Sequence, residues 1–284
     1  MIDYHCHLLP ALDDGPETSS ESLAMARALA DFGFREVHCT PHCIAGHYEF
    51  SPVEVRAATG RLQTELDCAG IALRLHPGME YSLDDGFERF AANLLPLGET
   101  RLILCEAPPQ TLPGVVAAML ELIVVQGFIP LIAHPERSEM IWAMLEGQWQ
   151  AVPVEASAPQ ADRSPSRWRR WFAPRPPAAT SSVVKSSAPG TLPPAAPELP
   201  ECCLYQANLG SFAGFYGAKP QRRAYELLQR KVYHCFASDL HDARSIPACL
   251  DPSREKLQYN PALQRLGDFA APLGAGGSPQ MAFW

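Results

Sequence analysis

The sequence lacks an excess of positive charge, a long apolar run and any paired-cysteine motif. Its 23 Lys and Arg are outnumbered by 31 Asp and Glu, and the net charge of −8 excludes a general surface for nucleic acid. No run approaches the roughly 20 apolar residues of a membrane-spanning helix, and the polar, histidine-containing N-terminus argues against a signal peptide. We therefore expect a cytoplasmic protein with no membrane span.

The nine cysteines do not form a disulfide or zinc framework. Apart from the adjacent Cys202 and Cys203 they are scattered singly, and no C-x-x-C motif occurs. Most are expected to be reduced and buried as small hydrophobic residues.

Short β-rich runs alternate with helical patterns, as is typical of βαβ units around a parallel sheet. The length of 284 residues and the hydrophobic content of 47% suffice for one large domain. We therefore favour a single α/β barrel. The predicted strands cover residues 2–5, 36–40, 71–76, 101–106, 128–133, 151–155, 202–208 and 233–238.

Two helices have clear sequence signals. Thr18 and Glu21 have the spacing of a capping box, and Gly33 is the expected C-cap of the helix that they open. A further helix is predicted over residues 221–231.

Composition divides the chain into four parts. Residues 157–200 are rich in Pro, Ala and Ser and cannot bury enough apolar surface to order themselves, which predicts a flexible insertion. A short docking element in the basic, aromatic stretch 167–172 is the alternative. The expected organisation is a first barrel part (1–156), the insertion (157–200), a last barrel part (201–269) and a loose C-terminal tail (270–284).

Two histidines near the start of the chain, His5 and His7, suggest a metal site. On an extended strand, residues two apart project from the same face and can hold one ion between them. The pair alone is equally consistent with histidines that are merely packed or exposed. Further His, Asp and Glu residues, however, follow the later predicted strands, where barrel enzymes place their catalytic groups. These residues are His42, Glu80, Glu106, His134, Asp239 and His241.

Together these motifs resemble the PHP (polymerase and histidinol phosphatase) superfamily and, within it, the bacterial CpsB/CapC-type metal-dependent tyrosine-protein phosphatases. The resemblance covers residues 1–156 and 202–261. It is carried by Asp3-x-His5-x-His7, Asp13-Asp14-Gly15, Thr40-Pro41-His42, Gly78-x-Glu80, Leu104-x-Glu106, Ala133-His134-Pro135-Glu136-Arg137, Gln206-x-Asn208 and Ser238-Asp239-x-His241.

The resemblance implies a distorted (β/α)7 PHP-type barrel that holds three divalent metal ions. Oxygen and imidazole ligands suit Mn, Fe or Zn, and manganese is the ion that the family favours. The implied ligands are His5, His7, Glu80 and Asp239 for the first ion, Glu80, Glu106 and His134 for the second, and Asp14, His42 and His241 for the third.

The activity implied is hydrolysis of phosphotyrosine by a metal-activated hydroxide. The implied partner is a phosphotyrosine-containing protein, a bacterial tyrosine autokinase of capsule or exopolysaccharide synthesis. Asp14 or His241 could supply a proton to the leaving group. Arg137 could bind two phosphate oxygens through its guanidinium, and a salt bridge to a carboxylate of the site is the alternative. Gln206 and Asn208 are expected to orient ligands.

Several alternatives remain open. A phosphatase of a small phosphomonoester such as histidinol phosphate would use the same ligands, although that branch usually has histidines where this chain has Asp14 and Glu106. A PHP nuclease would need a basic face. A non-catalytic metal-binding regulatory protein would keep the ligands without turnover. The C-x5-R spacing of Cys68 and Arg74 is rejected as a cysteine phosphatase loop, because a helix end here precedes a strand.

Overall fold

A computed structural model describes residues 1–147 and 199–273 of the chain. The predicted strand at 151–155 lies outside the described residues, as do nearly all of the predicted insertion and the end of the predicted tail. The predicted boundaries of the four parts therefore stay a prediction. Within residues 1–147 and 199–273, no helix is long and apolar enough to cross a membrane.

The described strands are all paired in parallel and form two sheets. The first sheet contains β1 (Ile2–Cys6), β2 (Glu36–Cys39) and β4 (Arg74–Pro77) in that order. The second has the order β3 (His42–Cys43), β5 (Glu80–Ser82), β6 (Leu102–Glu106), β7 (Ile129–Ala133), β8 (Leu204–Asn208) and β9 (Cys235–Ala237). The predicted α/β class with parallel strands is confirmed, whereas a closed seven-stranded barrel is not established.

Two interrupted strands explain the division into two sheets. The strand predicted at 36–40 stops before Pro41, which has no N–H to donate, and resumes as β3. The chain of β4 likewise breaks at Gly78, where a Cβ atom would lie 2.6 Å from the side chain of Leu97, and resumes as β5. The two resumed strands pair with each other so that His42 lies opposite Glu80. The interruptions thus bring two predicted ligands together.

The first predicted helix has the bounds expected from its capping signals, whereas the second begins three residues earlier and ends two residues earlier than predicted. Thr18 and Glu21 form both capping-box hydrogen bonds, and Gly33 ends the helix in a left-handed conformation with φ 119°. The helix predicted at 221–231 runs from Ala218 to Gln229. In order, the helices are α1 (Ser19–Phe32), α2 (Pro52–Cys68), α3 (Pro113–Val125), α4 (Glu139–Leu145), α5 (Leu209–Ala213), α6 (Ala218–Gln229), α7 (Ile246–Tyr259) and α8 (Pro261–Leu266).

Strand β6 is buried on both faces. Along β6, Leu102 and Leu104 belong to a small apolar cluster with Tyr4, whereas Ile103 and Cys105 belong to the large core that includes the helices. Alternate residues of a strand point to opposite faces, so both faces of this strand are apolar, as in other covered parallel sheets. The polar ends of the strands are thereby left to form the site.

Cys68 and Arg74 do not form a phosphate loop. Cys68 is the last residue of α2 and is exposed, and Arg74 is the first residue of β4. A cysteine phosphatase loop needs the reverse order, with a helix N-terminus after the loop. The rejection of this motif agrees with the structure.

Candidate metal centre

All nine predicted metal ligands lie in one cluster, within the strands or in the segments that connect them. Four overlapping groups have donor atoms within 4.8 Å of one another. They are His7, Asp14, His42 and His241; His5, His7 and Glu80; His5, His134 and Asp239; and His42, Glu80 and Glu106. His7 lies beside the residues implied for the third ion, and His42 beside Glu80 and Glu106, so neighbouring sets share donors.

His5, in β1, and His7, which directly follows that strand, direct their Nε2 atoms at each other. Nδ1 of His5 lies 3.1 Å from Oε1 of Gln206, and Nδ1 of His7 lies 2.6 Å from Oδ2 of Asp13. Both oxygens are acceptors, which assigns a proton to each Nδ1 and leaves a lone pair on each Nε2. The two Nε2 atoms are only 3.1 Å apart. This arrangement is favourable when a cation lies between them.

Two carboxylate oxygens lie close to the same two imidazole nitrogens. Oε2 of Glu80 lies 3.2 Å from Nε2 of His5 and 3.4 Å from Nε2 of His7. Oδ1 of Asp239 lies 3.2 Å and 3.5 Å from the same two nitrogens. Burial lowers the pKa of His5, but the carboxylates of Glu80 and Asp239 outweigh it and raise that pKa. The electrostatic field at this point therefore favours positive charge.

Three buried atoms of the cluster have no hydrogen-bond partner among the described residues. They are Oε2 of Glu80, Nδ1 of His42 and Oδ1 of Asp14. Glu80 Oε2 and His42 Nδ1 approach to 3.0 Å without forming a hydrogen bond, and Asp14 Oδ1 lies 3.5 Å from Nε2 of both His42 and His241. Unsatisfied buried polar atoms are costly unless a ligand satisfies them. Their convergence fits a bound cation.

The local pKa shifts differ across the cluster. Burial and the Glu80 carboxylate raise the pKa of Glu106 to about 7. Burial and Arg137 lower the pKa of His134 to about 4. For His42, burial and His7 lower the pKa, but Glu80 and Glu106 outweigh them and leave it at about 9. His134 is thus suited to ligation as a neutral imidazole.

Two of the predicted ligands have unusual backbone geometry. His134 has φ 33° and Asp239 has φ 50°, both in the left-handed region that non-glycine residues rarely occupy. Such conformations persist where the surrounding structure imposes them, and they cluster at functional sites. Here they turn the chain directly after β7 and shortly after β9, which aims both side chains into the cluster.

The second oxygen of Asp239 is held by groups outside the ligand set. Oδ2 accepts a hydrogen bond of 2.8 Å from Nδ2 of Asn208 and contacts Nη1 of Arg137. The predicted role of Asn208 as an orienting residue agrees with this geometry, as does that of Gln206 at His5. For Arg137, the salt bridge to a site carboxylate is present, and a role in phosphate binding stays a prediction.

Tyr216 and Glu136 were not predicted as parts of the site. Oδ2 of Asp239 lies 3.5 Å from the hydroxyl of Tyr216. Glu136 is fully buried beneath the site and accepts hydrogen bonds from the backbone N–H of Asn208 (3.1 Å) and the hydroxyl of Tyr233 (2.8 Å). Burial raises its pKa. The acidic residue inside Ala133-His-Pro-Glu-Arg137 was a signal for Glu136, whereas no sequence pattern marked Tyr216.

Asp13 holds the turn that follows β1. Its Oδ2 also accepts from the backbone N–H of His42 at 2.9 Å, and its Oδ1 accepts from that of Gly15 at 3.0 Å. A Cβ atom at Gly15 would lie 2.7 Å from the carbonyl oxygen of His7, so only glycine fits there. Asp13 therefore connects three parts of the site.

We expect Asp13→Asn to weaken metal binding about 10- to 100-fold, because the charged partner of a ligating imidazole raises its basicity and fixes its orientation. Metal titration followed by calorimetry would measure this change. Asp85→Asn, at an exposed position, is the matched control. Equal affinity in the Asp13 variant and the control would show that Asp13 does not support His7.

Comparison with known proteins shows the family to which this chain belongs. Residues 1–149 match the model of a family described as capsular polysaccharide synthesis, CpsB/CapC. The chain belongs to this family, which confirms the resemblance drawn from the motifs.

Named relatives match about half of the chain. Tyrosine-protein phosphatase YwqE of Bacillus subtilis (strain 168) is 40% identical over 143 residues, 50% of this chain and 56% of that protein. Tyrosine-protein phosphatase CpsB of Streptococcus pneumoniae is 31% identical over 145 residues, 50% of this chain and 59% of that protein. These sequence matches thus span less than two thirds of the relatives' own length.

A solved structure extends the likeness to nearly the whole chain. It comes from work on YwqE from Bacillus subtilis and CpsB from Streptococcus pneumoniae, described as unique metal-dependent tyrosine phosphatases. The two chains superpose with a TM-score of 0.64 at 26% identity, covering 96% of this chain and 97% of that one.

Proposed function

We propose that this protein is a metal-dependent protein-tyrosine phosphatase. The observation that carries the proposal is the cluster of nine carboxylate and imidazole ligands, whose lone pairs converge in a chain of the CpsB/CapC family. Named relatives of this chain are tyrosine-protein phosphatases, which supports the choice of activity.

The donor set fits divalent cations. We assign His5, His7, Glu80 and Asp239 to a first ion; Glu80, Glu106 and His134 to a second; and Asp14, His42 and His241 to a third. Hard oxygen and imidazole donors without thiolate suit Mn, Fe and Zn alike. We propose manganese, the ion that the family resemblance implies, with Fe and Zn as alternatives. Bound divalent ions would lower the pKa of an attacking water molecule and stabilise negative charge on the phosphoryl oxygens.

The residues of this chain supply orientation and proton transfer. Gln206 and Asp13 fix the tautomers of His5 and His7, so that both direct lone pairs inward. Asp14 and His241 lie at the open edge of the cluster, each with 26% of its side chain exposed. From that position either could relay a proton, taken from the attacking water molecule, to the leaving tyrosinate.

Arg137 is the proposed phosphate-binding residue. Its side chain is 22% exposed at the site, and Nη1 is paired with Asp239. A guanidinium can donate to two oxygens at once, which suits phosphate. We infer that its remaining N–H groups bind the substrate phosphoryl group.

We further infer that the two sheets together form a distorted (β/α)7 barrel. The backbone N–H of Asp239 donates to the carbonyl of His5 at 2.8 Å, and that of His7 donates to the carbonyl of Leu240 at 3.0 Å. These bonds support a junction between the ends of β1 and β9. A second junction between the sheets is supported because the chain runs from β2 in the first sheet into β3 in the second, and from β4 into β5.

The proposed substrate is a phosphotyrosine-containing protein, with a bacterial tyrosine autokinase of capsule or exopolysaccharide synthesis as the partner. The family description, capsular polysaccharide synthesis, supports this choice. A cytoplasmic location and the absence of nucleic-acid binding stay predictions from charge and composition.

Comparing substrates on the manganese-loaded full chain tests the activity. We expect kcat/KM for a phosphotyrosyl peptide to exceed that for histidinol phosphate by at least about tenfold, the discrimination that a few substrate contacts supply. A preference for histidinol phosphate would identify a small-molecule phosphatase instead. Metal binding with no hydrolysis of either substrate would identify a non-catalytic regulatory protein.

A further inference from the structure

Tyr216 lies directly against the proposed phosphate-binding arginine. Its ring centroid is 4.1 Å from Cζ of Arg137, the distance of a close cation–π contact. Its hydroxyl lies 3.4 Å from Nδ2 of Asn208 and 3.5 Å from Oδ2 of Asp239. The ring contact is therefore close, whereas both hydroxyl contacts are long for hydrogen bonds.

The chain after α5 is shaped to place this ring. Gly214 ends α5 in the left-handed conformation with φ 81°, and the backbone N–H of Phe215 donates to the carbonyl of Gly210 at 2.9 Å. A Cβ atom at Gly210 would lie 2.9 Å from Cε2 of Tyr216. The ring thus packs on the bare backbone of Gly210 on one side and contacts Arg137 on another. Such close packing restricts its position.

Arg137 is held in two ways that leave part of the guanidinium available. Nη1 is paired with Asp239, and the Tyr216 ring covers one face. Among residues 1–147 and 199–273, no side-chain hydrogen bond of Arg137 other than the one from Nη1 is present. A long arginine side chain loses considerable rotamer entropy when it becomes fixed. An aromatic ring that already fixes the guanidinium plane reduces this cost when the arginine binds a ligand.

We propose that Tyr216 is a positioning residue that holds Arg137 in the orientation that binds the substrate phosphoryl group, and that it acts through its ring. The inference rests on the proposed phosphatase function. Asp239 does not need the Tyr216 hydroxyl, because Asn208 donates to the same oxygen at 2.8 Å. Loss of the ring should therefore affect phosphate binding and leave the metal ligands in place.

The test compares Tyr216→Leu, Tyr216→Phe and the unchanged full chain, all loaded with manganese. Tyr216→Leu is expected to raise both the KM for a phosphotyrosyl peptide and the dissociation constant of inorganic phosphate about tenfold. This factor lies between the losses expected for a fully exposed and a desolvated cation–π contact. kcat should change less than about threefold and metal content should not change. Tyr216→Phe, which keeps the ring, should restore most of the affinity.

Two controls separate positioning from general destabilisation. Tyr259→Leu replaces a tyrosine that is 73% exposed at the end of α7. In an Arg137→Ala background, Tyr216→Leu should add no further loss of phosphate affinity, because the two residues act on one interaction. If Tyr216 had only a structural role, Tyr216→Leu would lower phosphate affinity both in the unchanged protein and in the Arg137→Ala variant.

The proposal is overturned if Tyr216→Leu leaves the dissociation constant of phosphate unchanged, if it releases metal, or if Tyr216→Phe is as impaired as Tyr216→Leu. Calorimetric titration with inorganic phosphate keeps this inference separate from the proposed activity. A chain that binds phosphate without hydrolysing any phosphomonoester would refute the phosphatase proposal, and the Tyr216→Leu affinity ratio would still decide the role of Tyr216. A chain that neither hydrolyses substrate nor binds phosphate would refute both.

Discussion

Glu80→Gln is expected to lower phosphatase activity by at least about a thousandfold, which corresponds to about 4 kcal/mol in the activation barrier. Oε2 of Glu80 lies within 3.4 Å of His5, His7 and His42, and Oε1 lies 3.2 Å from His134. Glutamine keeps the volume but removes the negative charge and directs an N–H2 group at imidazole nitrogens. Glutamine would therefore bind the proposed cations more weakly than the carboxylate does.

The buried position of Glu80 makes the charge itself important. Burial alone would raise the pKa of Glu80, but His5 and His42 hold it well below its usual range, so the side chain is a carboxylate. Activity and bound metal should be measured together, with the exposed Glu88→Gln as the matched control. Activity within about threefold of the unchanged protein would remove Glu80 from the proposed centre, because a bridging ligand supplies several kcal/mol of charge stabilisation.

Metal removal is expected to abolish phosphotyrosine hydrolysis and to lower the melting temperature. A ligand that binds only the folded state stabilises it by about 2.7 kcal/mol at a free concentration 100-fold above its Kd, and a chelator removes this contribution. The buried unpaired atoms of Asp14, His42 and Glu80 indicate which side chains would lose their partner. Thermal unfolding with and without chelator measures the loss independently of activity.

The same experiment discriminates between metal and cysteine chemistry. Cys68→Ser should retain full activity in the presence of manganese, because Cys68 is exposed at the end of α2 and is followed by a strand. Readdition of Mn²⁺ after removal of the chelator should restore both activity and melting temperature. Activity that survives chelation but not Cys68→Ser would refute the metal-dependent mechanism.

Much of the architecture could be predicted because its signals are local. The capping box of Thr18 and Glu21 and the end at Gly33 depend on residues close in sequence, and the structure has both. β6 and β7 begin one residue later than predicted, since apolar runs bounded by polar residues define them well. The breaks at Pro41 and Gly78 were not predicted, because their effect depends on packing against Leu97 and on which strand each half joins.

The candidate metal ligands could be named from the sequence because most lie at or shortly after the end of a predicted strand, and parallel strands end at the same edge. The arrangement of these ligands relative to one another could not be predicted from the sequence. That His7 lies beside both His5 and His42, or that Asp239 is held by Arg137 and Asn208, depends on chain segments far apart in sequence.

The sequence alone determined the α/β class, the family and the side chains that gather at the strand ends, since periodicity and ligand spacing are properties of neighbouring residues. The tertiary structure decided which donors face one another, that Asp13 and Gln206 direct the lone pairs of His5 and His7, and that Tyr216 lies against Arg137. These features depend on distances of a few ångströms between segments up to some two hundred positions apart, as with His5 and Gln206. Only the packing of the whole sheet sets such distances.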